Sequence, residues 1–108
     1  MITFDEFKKA EIKIGTVLSV EKVPEADKLL RLMIDLGEEM PRQIISGIAE
    51  HYPDLSVLVG KQVPVLVNLP TRVIRGLESQ GMVLYVVGEG FLTTLGPACE
   101  VRAGTAVQ

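Results

Sequence analysis

The sequence predicts an all-β domain, and three observations carry that reading. Apolar and polar residues alternate over several short stretches of strand length, turn residues recur at intervals of roughly ten between them, and no stretch shows a sustained helical stripe. With 108 residues and 47% hydrophobic side chains the chain holds enough apolar material for one core, so one domain over residues 1–108 is expected.

The elements follow in order. Thr3 with Glu6 three residues later, ahead of Phe7-Lys8-Lys9, is a capping pattern for a helix of one or two turns. Ile12, Ile14, Leu18 and Val20 fall on alternate positions, so Lys13 to Val23 reads as a long strand, with a bulge or a close backbone approach at Gly15. Pro24-Glu25-Ala26-Asp27 turns the chain. Leu30, Leu32, Ile34 and Leu36 then alternate with Arg31, Met33 and Asp35 as a half-buried second strand, and Arg42 to Ser46 gives a third. Gly47 to Tyr52 reads as a brief helix. Val63 to Leu69 is a fourth strand whose Pro64, lacking a donor, belongs at a start, an edge or a bulge. Met82 to Val87 is a fifth, and Phe91 to Val107, broken by Gly96-Pro97 and Gly104, offers one or two more. Five strands with a small helix between the third and fourth is the arrangement of the oligonucleotide-binding barrel.

Composition narrows the function. No apolar run approaches the ~18 residues that span a bilayer, and the acidic start, Asp5-Glu6, lacks signal-peptide order, so no membrane role and a cytoplasmic location are expected. One cysteine, Cys99, and one histidine, His51, give neither an internal disulfide nor a Cys/His zinc site, so no metal or cofactor is expected. No nucleophile is accompanied by a base and there is no Gly-rich phosphate loop, so no catalytic residue is assigned and the chain is not read as an enzyme.

The formal net charge of −3 argues against a polyanion partner until its distribution is seen. Residues 1–60 carry seven basic and eleven acidic side chains, whereas residues 61–88 carry Lys61, Arg72 and Arg75 against Glu78 alone. Arg72 and Arg75, three apart in a connection near a strand end, can grip adjacent phosphates, or they are ordinary solvated arginines. Lys28 between acidic neighbours reads as a surface ion-pair partner, Met82 as a core residue opening a strand, and Asn68 as either a base reader or a turn residue. Aromatic residues are few and scattered, with no Trp, which suits a folded RNA read through its backbone better than a flexible single strand.

The ordered strings PEADKLLRLMIDLG, IISGIA, GKQVPVLVNL and RGLESQGMVL resemble the tRNA-binding domain found at the C-terminus of many methionyl-tRNA synthetases, as small stand-alone proteins, and in the export chaperone CsaA. The resemblance runs from about Phe4 to Gly104. It implies a five-stranded oligonucleotide-binding barrel with a short helix, whose extra N- and C-terminal flanking segments pair two copies into a homodimer. It further implies binding of the outer corner of folded tRNA without sequence preference, in aid of aminoacylation, with the methionyl-tRNA synthetase catalytic chain as a further partner. By the same resemblance Lys28, Ser46, Asn68, Arg72, Arg75, Ser79 and Met82 face the RNA. This chain departs from the family in placing its proline at Pro70, one position early, and in having Val73 where a lysine is usual, which implies one phosphate contact fewer. The alternative is a CsaA-like export chaperone or a dimerisation module; those chaperones depart from SQGM and from the lysine of ADKL, both of which are kept here.

Overall fold

The structure is a computed structural model describing residues 1–108. Helix α1 (Phe4–Lys8) forms where the capping pattern places it. The Thr3 hydroxyl accepts from the Glu6 N–H and the Glu6 carboxylate accepts from the Thr3 N–H. None of its residues is buried, so it stands outside the barrel.

The barrel is built on β1 (Ile12–Lys22), whose eleven residues serve three partners. Its first half pairs along one edge with β4 (Gln62–Leu66), from Ile12 opposite Leu66 to Thr16 opposite Gln62. Its second half pairs along the other edge with β2 (Leu30–Asp35), and β10 (Ala106–Val107) continues that edge beside Ile12 and Lys13. With β3 (Arg42–Ser46) outside β2 and β7 (Met82–Val83) outside β4, the sheet order is β3-β2-β1-β4-β7, a nearly closed five-stranded barrel. Leu30, Leu32 and Ile34 alternate inward from β2 and meet Val17, Ile44, Val63 and Val65 in the core. Each such side chain contributes about 1.5–3 kcal/mol through its burial.

β1 turns from one partner to the next by a shift in pairing between Val17 and Ser19. The bulge is therefore at Leu18, left half-exposed, and not at Gly15. Gly15 is the close approach: a methyl there would overlap Ile34 Cγ2 and lie 3.0 Å from Leu36 Cδ2, both on buried side chains. Pro64 lies inside β4 rather than at its start. Opposite it, Ile14 sends its N–H to the Thr105 carbonyl and accepts from the Gly104 N–H, so β1 asks no donor of the proline.

Four expectations change. The brief helix is a 3-10 turn, Ala49–His51, and a second, Leu55–Leu58, plugs the core with Leu58. The fourth strand stops at Leu66, because the next amide, Val67, bonds the Glu11 carbonyl. The fifth strand breaks at Leu84, whose N–H goes to the Pro64 carbonyl, and the chain leaves the barrel as a hairpin of β8 (Tyr85–Gly88) and β9 (Phe91–Thr94). The connection carrying Arg72 and Arg75 is also a hairpin, β5 (Arg72–Ile74) with β6 (Leu77–Ser79). Its two-residue turn, Arg75-Gly76, has φ of 53° and 80°, the doubly left-handed turn that suits the twist of paired strands.

Gly15→Ala should destabilise the fold by about 1–3 kcal/mol, because the added methyl must displace core side chains that have nowhere to go. Denaturant unfolding checks this; a change below about 0.5 kcal/mol would contradict the close approach.

Candidate functional site

The residues singled out in the sequence are spread over the two ends of β3, the β5–β6 hairpin along its free edge and β7. At the C-terminal end of β3, Ser46 lies opposite Leu30, the first residue of β2, and the turn before Leu30 carries Lys28. That turn is tied down, since the Ala49 N–H donates to the Lys28 carbonyl at 3.1 Å, while the lysine side chain is exposed. Ser46 itself points inward. It is 8% exposed, and its Oγ accepts from the Tyr85 hydroxyl at 3.0 Å. Burial pushes the Tyr85 phenol up to about 12, opposed by the Ser46 hydrogen bond, so the hydroxyl stays a donor.

The free edge of β3 determines what happens next. An edge strand leaves amides and carbonyls without partners, and burying them unsatisfied costs about 1–3 kcal/mol each. Here side chains meet that need. Ser79 Oγ accepts from the Ile45 N–H at 3.0 Å, and Gln80 Oε1 accepts from the Gln43 N–H at 3.0 Å. The Gln80 N–H donates to the Gln43 carbonyl at 2.8 Å, and Gln43 Nε2 donates to the Glu78 carbonyl at 2.9 Å. Ser79 and Gln80 thus close the barrel along a seam where no regular ladder runs. With Ser79 only 4% exposed, its hydroxyl faces β3 rather than outward.

Arg42 fixes the N-terminal end of the seam. Its Nη1 donates to the carbonyls of Val67 (2.7 Å) and Gln80 (3.1 Å), while Nε and Nη2 grip the two oxygens of Glu38, each at 2.8 Å. The Arg42 hydrogen bond holds the Glu38 carboxyl below its ordinary value. Next to Val67, Asn68 is also engaged. Its Oδ1 accepts from the Glu11 N–H at 2.9 Å and its Nδ2 donates to the Lys9 carbonyl at 2.6 Å, clipping the segment after α1 onto the barrel. Asn68 thus lies toward the Arg42 end of β3, a strand that spans roughly 13 Å from Arg42 to Ser46 at about 3.3 Å per residue.

Arg72, Arg75 and Met82 are exposed. Arg72 lies opposite Ser79, so its strand is anchored to the seam, and Arg75 stands at the hairpin tip. Val73, beside them, is 69% exposed and carries no charge. Met82, 42% exposed, sits on the outer side of β7 opposite Leu66 and is not a core residue. Only two ion pairs form in the chain, Arg31 with Glu21 and Arg42 with Glu38, so Lys28, Arg72 and Arg75 have no acidic partner. No three of His, Cys, Asp and Glu converge in metal-binding geometry. What the site offers chemically is exposed cations on anchored turns, an arrangement suited to phosphate oxygens. Gln43 and Arg42 were not singled out in the sequence; their importance arises from the bare edge of β3, which only the closed barrel reveals.

Comparison with known proteins identifies the family and the fold. The family model described as "Putative tRNA binding domain" matches residues 12–106. The methionine–tRNA ligase of Porphyromonas gingivalis is 51% identical over 108 residues, which is 99% of this chain and 16% of the ligase. The chain thus spans about one sixth of the length of that curated relative. Among solved structures, a MetRS-related protein from Pyrococcus horikoshii superposes with a TM-score of 0.91 at 35% identity, covering 100% of this chain and 98% of that one. The chaperone CsaA from Bacillus anthracis gives 0.87 at 32% identity, covering 100% and 99%.

Ser79→Ala should cost about 1–3 kcal/mol of stability, because the buried Ile45 amide loses its only acceptor. Equilibrium unfolding reads this directly. A variant as stable as the parent would show that the hydroxyl does not hold the seam.

Proposed function

The chain belongs to the tRNA-binding-domain family, and on that premise we propose that it binds the outer corner of folded tRNA without sequence preference. The observation that carries this reading is the presentation of Lys28, Arg72 and Arg75, exposed and without acidic partners, on a turn and a hairpin anchored to one barrel whose chain is net acidic. Contacts of this kind go to phosphates, which position an RNA and carry no sequence information. Met82 adds an exposed apolar surface for a ribose or base. Ser79 serves the site by holding the hairpin of Arg72 and Arg75 against β3, while Ser46, bonded to Tyr85, and Asn68, bonded to Lys9 and Glu11, brace the barrel. Scarcity of aromatic platforms favours folded over single-stranded RNA.

In this reading the domain does no chemistry. It acts as an appendage of a methionyl-tRNA synthetase or in trans to one, and it aids aminoacylation by raising the local concentration of tRNA. Homodimer formation is supported by the apolar surface of the flanking segments. Phe4 and Phe7 are exposed and, with Ile12 and Val107, line a groove of about 370 Å³ beside β10. A peptide-binding, chaperone-like role is the second reading, favoured by the exposed Val86, Val87 and Phe91 of the β8–β9 hairpin and by the likeness to CsaA. The retained Lys28 and SQGM segment place it behind RNA binding.

Gel retardation of bulk tRNA should show binding that weakens steeply with salt. Arg72→Ala and Arg75→Ala should each weaken it and lower the slope of log affinity against log salt by about 1. Unchanged retention in both variants would refute the assignment. Sedimentation at micromolar concentration should show a dimer, and Phe4→Asp combined with Phe7→Asp should yield a monomer; a monomeric parent chain would refute the pairing.

A further inference from the structure

Between the Lys28 turn and the β5–β6 hairpin lies the outer face of β1, β2 and β3, and one cation is on it. The inward alternation of Leu30, Leu32 and Ile34 turns Arg31 outward, directly opposite Glu21 on β1. Its Nη2 lies 3.0 Å from Glu21 Oε2, and its Nη1 donates to Gln43 Oε1 at 3.3 Å. Gln43 in turn donates to the Glu78 carbonyl of β6. A hydrogen-bonded lane therefore crosses the sheet from Glu21 through Arg31 and Gln43 to the base of the hairpin bearing Arg72 and Arg75. In oligonucleotide-binding barrels, the face of strands 2 and 3 between these loops is where a nucleic acid can lie.

Resting on the tRNA reading above, we propose that Arg31 is a further phosphate-contacting residue and that Glu21 is a built-in competitor for it. The Glu21 side chain is 60% exposed and the Arg31 side chain 34%, so solvent screens their pair and holds it weakly. A phosphate carries the same fork of oxygens as the carboxylate and can replace it on the guanidinium without moving the backbone. Gln43 positions the guanidinium and remains bonded through the exchange. Glu21 thereby withholds one cation from small anions and yields it to an RNA already held by Lys28, Arg72 and Arg75.

Gel retardation of bulk tRNA across a salt series tests this with Arg31→Ala, Arg31→Gln, Glu21→Gln and the double variant Glu21→Gln/Arg31→Ala, after thermal melts confirm folding. Arg31→Ala should weaken binding roughly three- to tenfold and lower the salt slope by about 1. Arg31→Gln, which keeps the capacity to bond Gln43, should behave in the same way. Glu21→Gln should strengthen binding by up to about fivefold, the equivalent of a surface ion pair, and most of that gain should vanish in the double variant. Glu89→Gln, at the β8–β9 turn, controls for the general loss of negative charge. If Arg72→Ala weakens binding while both Arg31 variants leave affinity and slope unchanged, this inference fails and the wider reading stands. An equal gain from Glu21→Gln with and without Arg31 also overturns it, and a parent chain that retains no tRNA overturns both.

Discussion

The exposed backbone of β3's outer edge is the constraint on which the remaining structure depends. Four strands curl into an incomplete barrel around β1, and the fifth, β7, pairs only two residues with β4. Without a further partner, the amides of Gln43 and Ile45 would be taken from water with nothing in return. Ser79 and Gln80 answer that demand with a hydroxyl and a carboxamide, and Arg42 secures the N-terminal end of the arrangement through carbonyls of Val67 and Gln80. The Ser79-Gln80 stretch thus acts first on architecture. It holds the hairpin of Arg72 and Arg75 against the barrel, and any RNA engagement there is inherited from that hold.

Electrostatics follows from the same placement. A chain with a formal charge of −3 can still address a polyanion if its cations project where acidic side chains do not reach them. Lys28 and the hairpin arginines are placed so. Arg42 is not available, because Glu38 neutralises it and, with two carbonyls, occupies four of its five N–H donors. Arg31 is intermediate, held by one exposed carboxylate. Rank among the arginines is therefore a matter of partners, not of composition.

Much of the fold was legible in the sequence because half-buried strands write their alternation directly: the capping pattern at Thr3, the Leu30–Asp35 alternation and the Arg42–Ser46 strand all appear where expected. What was illegible shares one cause, that edge pairing depends on neighbours distant in sequence. The β5–β6 hairpin hides in six residues plus an Arg-Gly turn, too short for periodicity to register. The bulge at Leu18 arises from β1 changing partners, which no local pattern announces. Arg72 and Arg75 stood out as cations of the one net-basic stretch, whereas Lys28 read locally as an ion-pair partner and entered the candidate site only through the family resemblance. The inward turn of Ser46 and Ser79 and the clip at Asn68 could not be found from residue type, since a hydroxyl or amide facing a backbone group looks the same in sequence as one facing solvent.

The two-residue turn at Arg75-Gly76 sets more than the position of one guanidinium. Because side chains alternate along β6, the length of that turn decides which face Ser79 presents after Leu77 and Glu78. One inserted residue would shift the register, rotate the serine away from Ile45 and unbutton β3. The turn is thus a ruler: the closure of the barrel at Ile45 and the pairing of Arg72 with Ser79 are measured off the same short span.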